Sequence, residues 1–184
     1  MKVVEEPMPG LKLIEPTVFE DQRGYFFESY NDGKFKDLGI DVTFIQDNQS
    51  LSQANVVRGL HFQAPNHAQD KLIRVIKGSV LDVAVDVRKG SPTYGEVFAH
   101  EINEANKLQL FIPKGFAHGF ATLENQTIFY YKCTNLYNKE SEGGVLWNDP
   151  DLNIDWKVAN PILSEKDHHN PKMADFDSPF AYEK

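Results

Sequence analysis

Residues Val56 to Lys77, VVRGLHFQAPNHAQDKLIRVIK, place an arginine, a histidine and a lysine in two apolar runs joined by a turn that contains Pro and Asn. The runs read as the two strands of one hairpin. The first ends in RGLHFQ, where Gly59 lets the backbone bend or come close to a ligand. Strict alternation sends Arg58 and His61 to opposite faces, so a bend, or a strand that ends there, has to re-aim one of them if both serve a single pocket. In KLIRVIK, Lys71, Ile73 and Val75 share a face, which sets a lysine at the mouth of an apolar surface. Burying such cations is costly unless a negative ligand or a carboxylate offsets them. A plain hairpin with solvated charged ends has the same composition, because surface Lys and Arg are the commonest kind.

Outward from this stretch the strand pattern continues. SVLDVAVDV, from Ser79, alternates most clearly: Leu81, Val83, Val85 and Val87 share one face, and Val80, Asp82, Ala84 and Asp86 the other. Asp82 and Asp86 then face either a polar lumen or solvent. Further strands are expected at Leu11 to Phe19, Gly24 to Tyr30, VTFIQDN, KLQLFIP, GFAHGFATL and TIFYYKCT, with Gly78, Gly90, Gly95, Pro113 and Gly115 as punctuation. Asn31 to Gly39 is the best helix candidate, with Asn or Asp as cap, Phe35 and Leu38 three apart and Gly39 as stop. Many short strands without helical crossovers predict an all-β sandwich or barrel rather than βαβ units. From Trp147 onward the pattern turns to Asp, Asn and Pro, with Ser164 placed to cap a brief helix; Trp147, Trp156 and Phe176 predict that this tail packs against the barrel.

The 184 residues suffice for one buried core and predict a single domain from 1 to 184. With 19 Lys and Arg against 27 Asp and Glu, the net charge of −8 argues against nucleic acid or an anionic membrane as partner, so any basic site is local. The single cysteine, Cys133, lies in an apolar run and reads as a buried structural thiol. No apolar run approaches the roughly 20 residues of a membrane helix, and MKVVEEPMPG lacks the apolar stretch of a signal peptide. A cytoplasmic location without membrane association is expected.

The segments DQRGYFFESYN, FIQDNQS, VVRGLHFQ, KLIRVIKG, LDVAVDVRKGSPTYG, IPKGFAHGF, YYKCTNLY, SEGGVLWNDPDLNIDW and SEKD occur in that order from about Leu11 to Asp167. Together they resemble the dTDP-4-dehydrorhamnose 3,5-epimerases, a family of cupin-type jelly rolls. The resemblance implies an antiparallel double-stranded β-helix with a few short peripheral helices, a homodimer, and no metal or organic cofactor. It implies a thymidine diphosphate sugar with a ketone at position 4 and a methyl at position 6 as substrate, on the route to dTDP-rhamnose.

Inverting carbons beside a ketone means removing an acidified C–H proton, holding an enolate, and returning a proton from the opposite face. A neutral imidazole is a competent base near pH 7, and His61 is the candidate. By resemblance, Asp167 in SEKD is the carboxylate behind it, Lys71 the ammonium that stabilises the enolate, and Tyr131 the acid on the far side. Alternation alone does not choose between Tyr130 and Tyr131; the family's YK pairing chooses Tyr131. Resemblance also implies that Arg23, Arg58 and Lys166 bind the diphosphate, guanidinium groups being suited to two-point phosphate contacts. Gln46, Asn48, Glu28 and Glu142 would hydrogen-bond the nucleotide sugar, Tyr137 would stack on the base, and His118 would lie near the sugar. Asp82 is expected to hydrogen-bond within that cluster.

Many cupins hold a metal through a His-x-His pair, a Glu and a later His. Here the pair reads His61-Phe62-Gln63, Lys71 would repel a cation, and His168 and His169 are adjacent rather than spaced for one face; no metal is expected. One departure concerns Asp70, where the family usually has glycine. It raises the questions of a positive φ there and of a carboxylate beside Lys71. The same base, lysine and acid would serve a relative that inverts one carbon or shifts the ketone. A non-catalytic sugar-nucleotide-binding cupin would have no use for the full set, and the missing second histidine argues against a metal-dependent oxygenase.

Overall fold

The computed structural model describes residues 1–183. In chain order the strands are β1 (Lys2–Met8), β2 (Leu11–Glu15), β3 (Val18–Asp21), β4 (Gly24–Phe27), β5 (Gln46–Ser52), β6 (Val57–Gln63), β7 (Lys71–Lys77), β8 (Ser79–Asp86), β9 (Arg88–Lys89), β10 (Val97–Asn103), β11 (Gln109–Ile112), β12 (Phe116–Thr122), β13 (Thr127–Cys133), β14 (Glu142–Gly144) and β15 (Phe180–Ala181). One α-helix, α1 (Asp32–Asp37), lies between β4 and β5. It is capped as its sequence dictates: the Asn31 side chain accepts from Lys34 N, and Gly39, at φ +76°, ends it.

Two antiparallel sheets face each other, one of six strands in the order β1-β2-β11-β7-β13-β5 and one of five in the order β10-β8-β12-β6-β14. This is the antiparallel jelly roll of the cupin type, with helix confined to short peripheral pieces. Ile73, Val75, Val80, Ala84, Leu110, Phe120 and Phe129 fill the space between the sheets. A second apolar cluster covers the outer face of the five-stranded sheet, where Leu81, Val83 and Val85 meet Trp156 and Phe180, with Trp147 and Phe176 packed alongside. The tail therefore packs on the barrel as expected. It also explains why β8 is buried along its whole length: one face meets the lumen and the other the tail. Each fully buried Val or Leu in such a strand contributes about 1.5–3 kcal/mol. A third cluster seats Phe35 of α1 on Ile14, Leu72 and Phe111.

Several local expectations need correction. β6 and β7 are not a hairpin: β6 pairs with β12 and β14, and β7 with β11 and β13, so the linking segment crosses from one sheet to the other. The run Leu11 to Phe19 is interrupted at Pro16, which cannot donate to a ladder, and Gly24 to Tyr30 ends as strand at Phe27. VTFIQDN is displaced; pairing starts only at Gln46 and runs on through Ser52, while Val42 and Phe44 pack beside α1. Asp82 and Asp86 need no correction: of the two alternatives left open for them, solvent is excluded, since both are buried. Ser164 precedes a 3-10 turn, Glu165–His168, yet its side chain makes no capping hydrogen bond.

Candidate active site

A cavity of about 620 Å³ lies between the two sheets. Arg58, His61 and Gln63 line it from β6, and His118 from β12. Asn48 and Ser50 of β5, Lys71 of β7, and Phe129 and Tyr131 of β13 form the facing wall, and Tyr137, Glu142, Lys166 and Asp167 complete the enclosure.

The β6 wall depends on one extra residue. His118 pairs with His61 and Phe120 with Arg58, so a two-residue step on β12 faces a three-residue step on β6. This bulge turns Arg58 and His61 to the same side. Gly59 makes it possible: its φ is +143°, and a Cβ there would lie 2.5 Å from Gly119 Cα.

His61 Nε2 lies 2.5 Å from Asp167 Oδ1. Asp167 is only 1% exposed. Burial alone would push its carboxyl up, but the hydrogen bond from His61, helped by Ser164 and the charge of Lys166, outweighs it and holds the group below its ordinary range. The pair leaves a carboxylate behind an imidazole whose ring faces the cavity. On the opposite wall, burial pushes the Tyr131 hydroxyl up to about 12, so it keeps its proton throughout the neutral range. Tyr130 points the other way and donates to Asp47 Oδ2 at 2.7 Å, so of the two tyrosines it is Tyr131 that lines the cavity. Burial pulls the Lys71 ammonium down, while Cys133 and Asp82 pull it back up.

His118 is buried, with Nε2 3.1 and 3.0 Å from the two oxygens of Asp82. The expected Asp82 hydrogen bond is therefore present, on a carboxylate with 0% exposure. Arg58 Nη2 donates to Ser52 Oγ at 3.1 Å. Lys166 pairs with Glu142, which also accepts from the Tyr137 hydroxyl at 3.1 Å. Cys133 is fully buried, with Asn48 Nδ2 3.7 Å from its sulfur.

Three residues expected to bind substrate lie outside this cavity. Arg23, with its side chain 85% exposed, pairs with Asp21 on the β3–β4 hairpin. Glu28 is tied to Lys34 and Asn31. Gln46 stands one step behind the wall, donating to Asn48 Oδ1 and accepting from Tyr137 N. Both questions raised by Asp70 are answered in the negative. It has no positive φ, and it turns away from Lys71 to accept from Lys114 N and Thr134 Oγ1. The carboxylate whose charge reaches Lys71 is Asp82.

Ser52, Gln63, Cys133 and Ser164 went unmarked in the sequence as parts of the site. Gln63 Oε1 accepts from Asn138 N and so fixes the loop that carries Tyr137; its place two residues after His61 was the available signal. Among the described residues no group of three or more His, Cys, Asp or Glu is gathered as a metal site would need, and His169 pairs with Glu165 on the surface.

The sequence matches the model of the family described as dTDP-4-dehydrorhamnose 3,5-epimerase over residues 5–175. The chain belongs to the dTDP-4-dehydrorhamnose 3,5-epimerase family. An epimerase of that name from Salmonella typhimurium is 51% identical, covering 94% of this chain and 96% of its own. The crystal structure of the dTDP-4-dehydrorhamnose 3,5-epimerase from Elizabethkingia anophelis is 52% identical, with a TM-score of 0.91 over 95% of this chain and 97% of its own. A Legionella pneumophila dTDP-6-deoxy-D-glucose-3,5-epimerase, solved in complex with dTDP-4-keto-L-rhamnose, is 42% identical, with a TM-score of 0.94 over 100% of this chain and 99% of its own.

Proposed function

We propose that the chain is a dTDP-4-dehydrorhamnose 3,5-epimerase that converts dTDP-4-dehydro-6-deoxy-D-glucose to dTDP-4-dehydro-L-rhamnose, for dTDP-rhamnose biosynthesis. The observation that carries this reading is the opposition of base and acid. His61, backed by Asp167, lies on one wall, and Tyr131, protonated to about 12, lies on the other with Lys71. A flat enolate held between them loses a proton to one wall and regains one from the other, which inverts the carbon.

His61 takes the proton from the carbon beside the ketone, and the electron pair moves to the ketone oxygen. The Lys71 ammonium stabilises the oxyanion that forms. Tyr131 then protonates the carbon from the far side. The dyad returns its proton to water, the tyrosinate regains one, and the sequence repeats at the other flanking carbon. Arg58 and Lys166 offer cations to the diphosphate, Asn48 and Glu142 hydrogen bonds to the nucleotide sugar, and Tyr137, 55% exposed at the cavity, a ring face for the base. None of these steps draws on a metal or organic cofactor.

The reading includes one epimerase domain spanning residues 1–184 and a cytoplasmic homodimer. No helix among the described residues is long and apolar enough to cross a membrane. A dimer would account for Arg23 and Glu28: they sit on and just after a hairpin that displays Phe19, Tyr25 and Phe26 to solvent, from which Arg23 would reach the diphosphate, and Glu28 hydrogen-bonding groups, of a nucleotide sugar bound to a second copy.

Incubation with the keto-sugar in heavy water, coupled to a reductase and followed by NMR, tests the function. Deuterium at both carbons flanking the ketone, with turnover lost in His61→Ala, is the expected result. Uptake at one carbon points to a single-site epimerase, and unchanged turnover in His61→Ala would end the assignment of the base.

A further inference from the structure

The cations expected to meet the diphosphate keep different company. Arg23 is paired with Asp21, and Lys166 with Glu142. Among the described residues Arg58 has no carboxylate partner. Its guanidinium hydrogen bonds go to one neutral oxygen, Ser52 Oγ, 3.1 Å from Nη2 and 3.4 Å from Nε. Arg58 lines the cavity and Ser52 does not; Ser52 is 4% exposed, on the inward side of β5 that also carries Asn48 and Ser50. The contact ties the six-stranded sheet to the five-stranded one, and the connection between them is pinned. In residues 53–56, Asn55 takes a φ of +67°, which Asn tolerates better than most residues. Asn55 N donates to Thr122 O at 2.8 Å, Val56 N to Thr122 Oγ1 at 3.1 Å, and Ala54 N to Asn125 Oδ1 at 3.1 Å. The loop thereby fixes how far Ser52 and Arg58 stand apart.

We infer that Ser52 is a positioning residue for substrate binding: its hydroxyl holds the Arg58 guanidinium at the cavity wall without neutralising it, so that Arg58 meets the diphosphate already oriented and with its charge whole. The inference rests on the reading of the ligand as a nucleoside diphosphate sugar and of Arg58 as one of its phosphate contacts. An arginine loses rotamer freedom when it grips phosphate, and a partner that fixes it beforehand lowers that cost. A carboxylate in the same place would fix it too, but would offset the guanidinium charge and repel the phosphates. A hydroxyl is a neutral acceptor and only orients. The bonds to Ser52 use the Nε hydrogen and one of the two on Nη2, which leaves the other Nη2 hydrogen and both on Nη1 for phosphate oxygens.

Calorimetric titration with thymidine diphosphate at low ionic strength reads this contact without turnover. In Ser52→Ala the Kd is expected to rise roughly 3- to 10-fold, while the Kd for thymidine, which has no phosphate, stays near that of the wild type. In an Arg58→Met background there is no guanidinium to hold, so S52A should add nothing further. Ser52→Asp grips the arginine more firmly, yet should weaken thymidine diphosphate binding because it cancels the charge. In steady-state kinetics the S52A loss should fall on KM more than on kcat. Unchanged thymidine diphosphate affinity in S52A, or an equal loss with and without Arg58, overturns the inference. Tighter binding in S52D than in the wild type overturns it too, and this arm stands even if S52A does not fold. If the wild type binds thymidine diphosphate but does not turn over the keto-sugar, the epimerase reading falls while the double-mutant cycle still decides the role of Ser52. A wild type that does not bind thymidine diphosphate overturns both.

Discussion

If His61 is the base, as proposed, its neighbour Asp167 would make its proton chemistry repeatable. With Nε2 held 2.5 Å from Asp167 Oδ1, the ring is fixed in one tautomer and the cation it becomes meets a buried carboxylate. Asp167→Asn keeps the shape but removes that charge, so kcat should drop on the order of 10³-fold, with KM nearly constant. Steady-state kinetics with the coupled reductase reads this directly. Equal losses in kcat and in substrate binding would show that the carboxylate acts on the sugar instead. On the proposed roles Tyr131 has a different signature, because it would act after the base. In Tyr131→Phe the enolate still forms and is reprotonated from the His61 side. Deuterium should therefore enter the substrate from heavy water at a substantial rate while inverted product falls roughly 10²-fold or more. Loss of exchange together with inversion in Y131F would contradict a role on the far wall.

At the level of elements, the bulge in β6 governs the site. Gly119 packs so closely under it that a Cβ would lie 2.7 Å from Arg58 O and 3.0 Å from Gly59 Cα. Gly119→Ala must push the two strands apart, and it is expected to cost roughly 1–3 kcal/mol in a urea melt. Because Arg58 and His61 depend on the same register, kcat should fall as well; a variant that loses stability but keeps full kcat would show that the bulge does not aim them. The need for such a device was legible in the sequence, since alternation separated the two residues and Gly59 marked the bend. Its partner strand was not, because the choice between a hairpin and an arch joining two sheets depends on pairings remote in sequence. β7, β8, β12 and β13 were legible from their alternation and apolar content. β5 was misplaced by a few residues for a physical reason. Its outward residues meet solvent and its inward ones, Asn48 and Ser50, line a wet cavity, so it is polar on both sides. Of the apolar run before it, Val42 and Phe44 pack beside α1, and only Ile45 N reaches the sheet, at Cys133 O. β1 and β10 escaped for similar reasons, each carrying exposed charge along one edge of a sheet.

For the whole molecule, the binding residues fall into two groups. One set, from both walls, shares a single cavity with Gln46 just behind it, while Arg23 and Glu28 stand apart, on and just after an exposed hairpin. The resemblance named them together, and sequence similarity carries no information on whether two residues meet within one chain or between two. If the active unit is a homodimer with hairpins exchanged between sites, each site takes its base from one chain and Arg23 from the other. Arg23→Ala would then raise KM through lost diphosphate contact, by roughly 10-fold or more for a charge-assisted pair, and His61→Ala would abolish turnover. In a mixed dimer of R23A and H61A chains, the site with an intact His61 receives its hairpin from the chain with an intact Arg23. One of the two sites is thereby restored with wild-type KM. Mixing the two purified variants under conditions that allow subunit exchange should therefore regenerate low-KM activity that neither shows alone. If Arg23 served its own chain, every site in the mixture would lack one group or the other, and the low-KM activity would never appear.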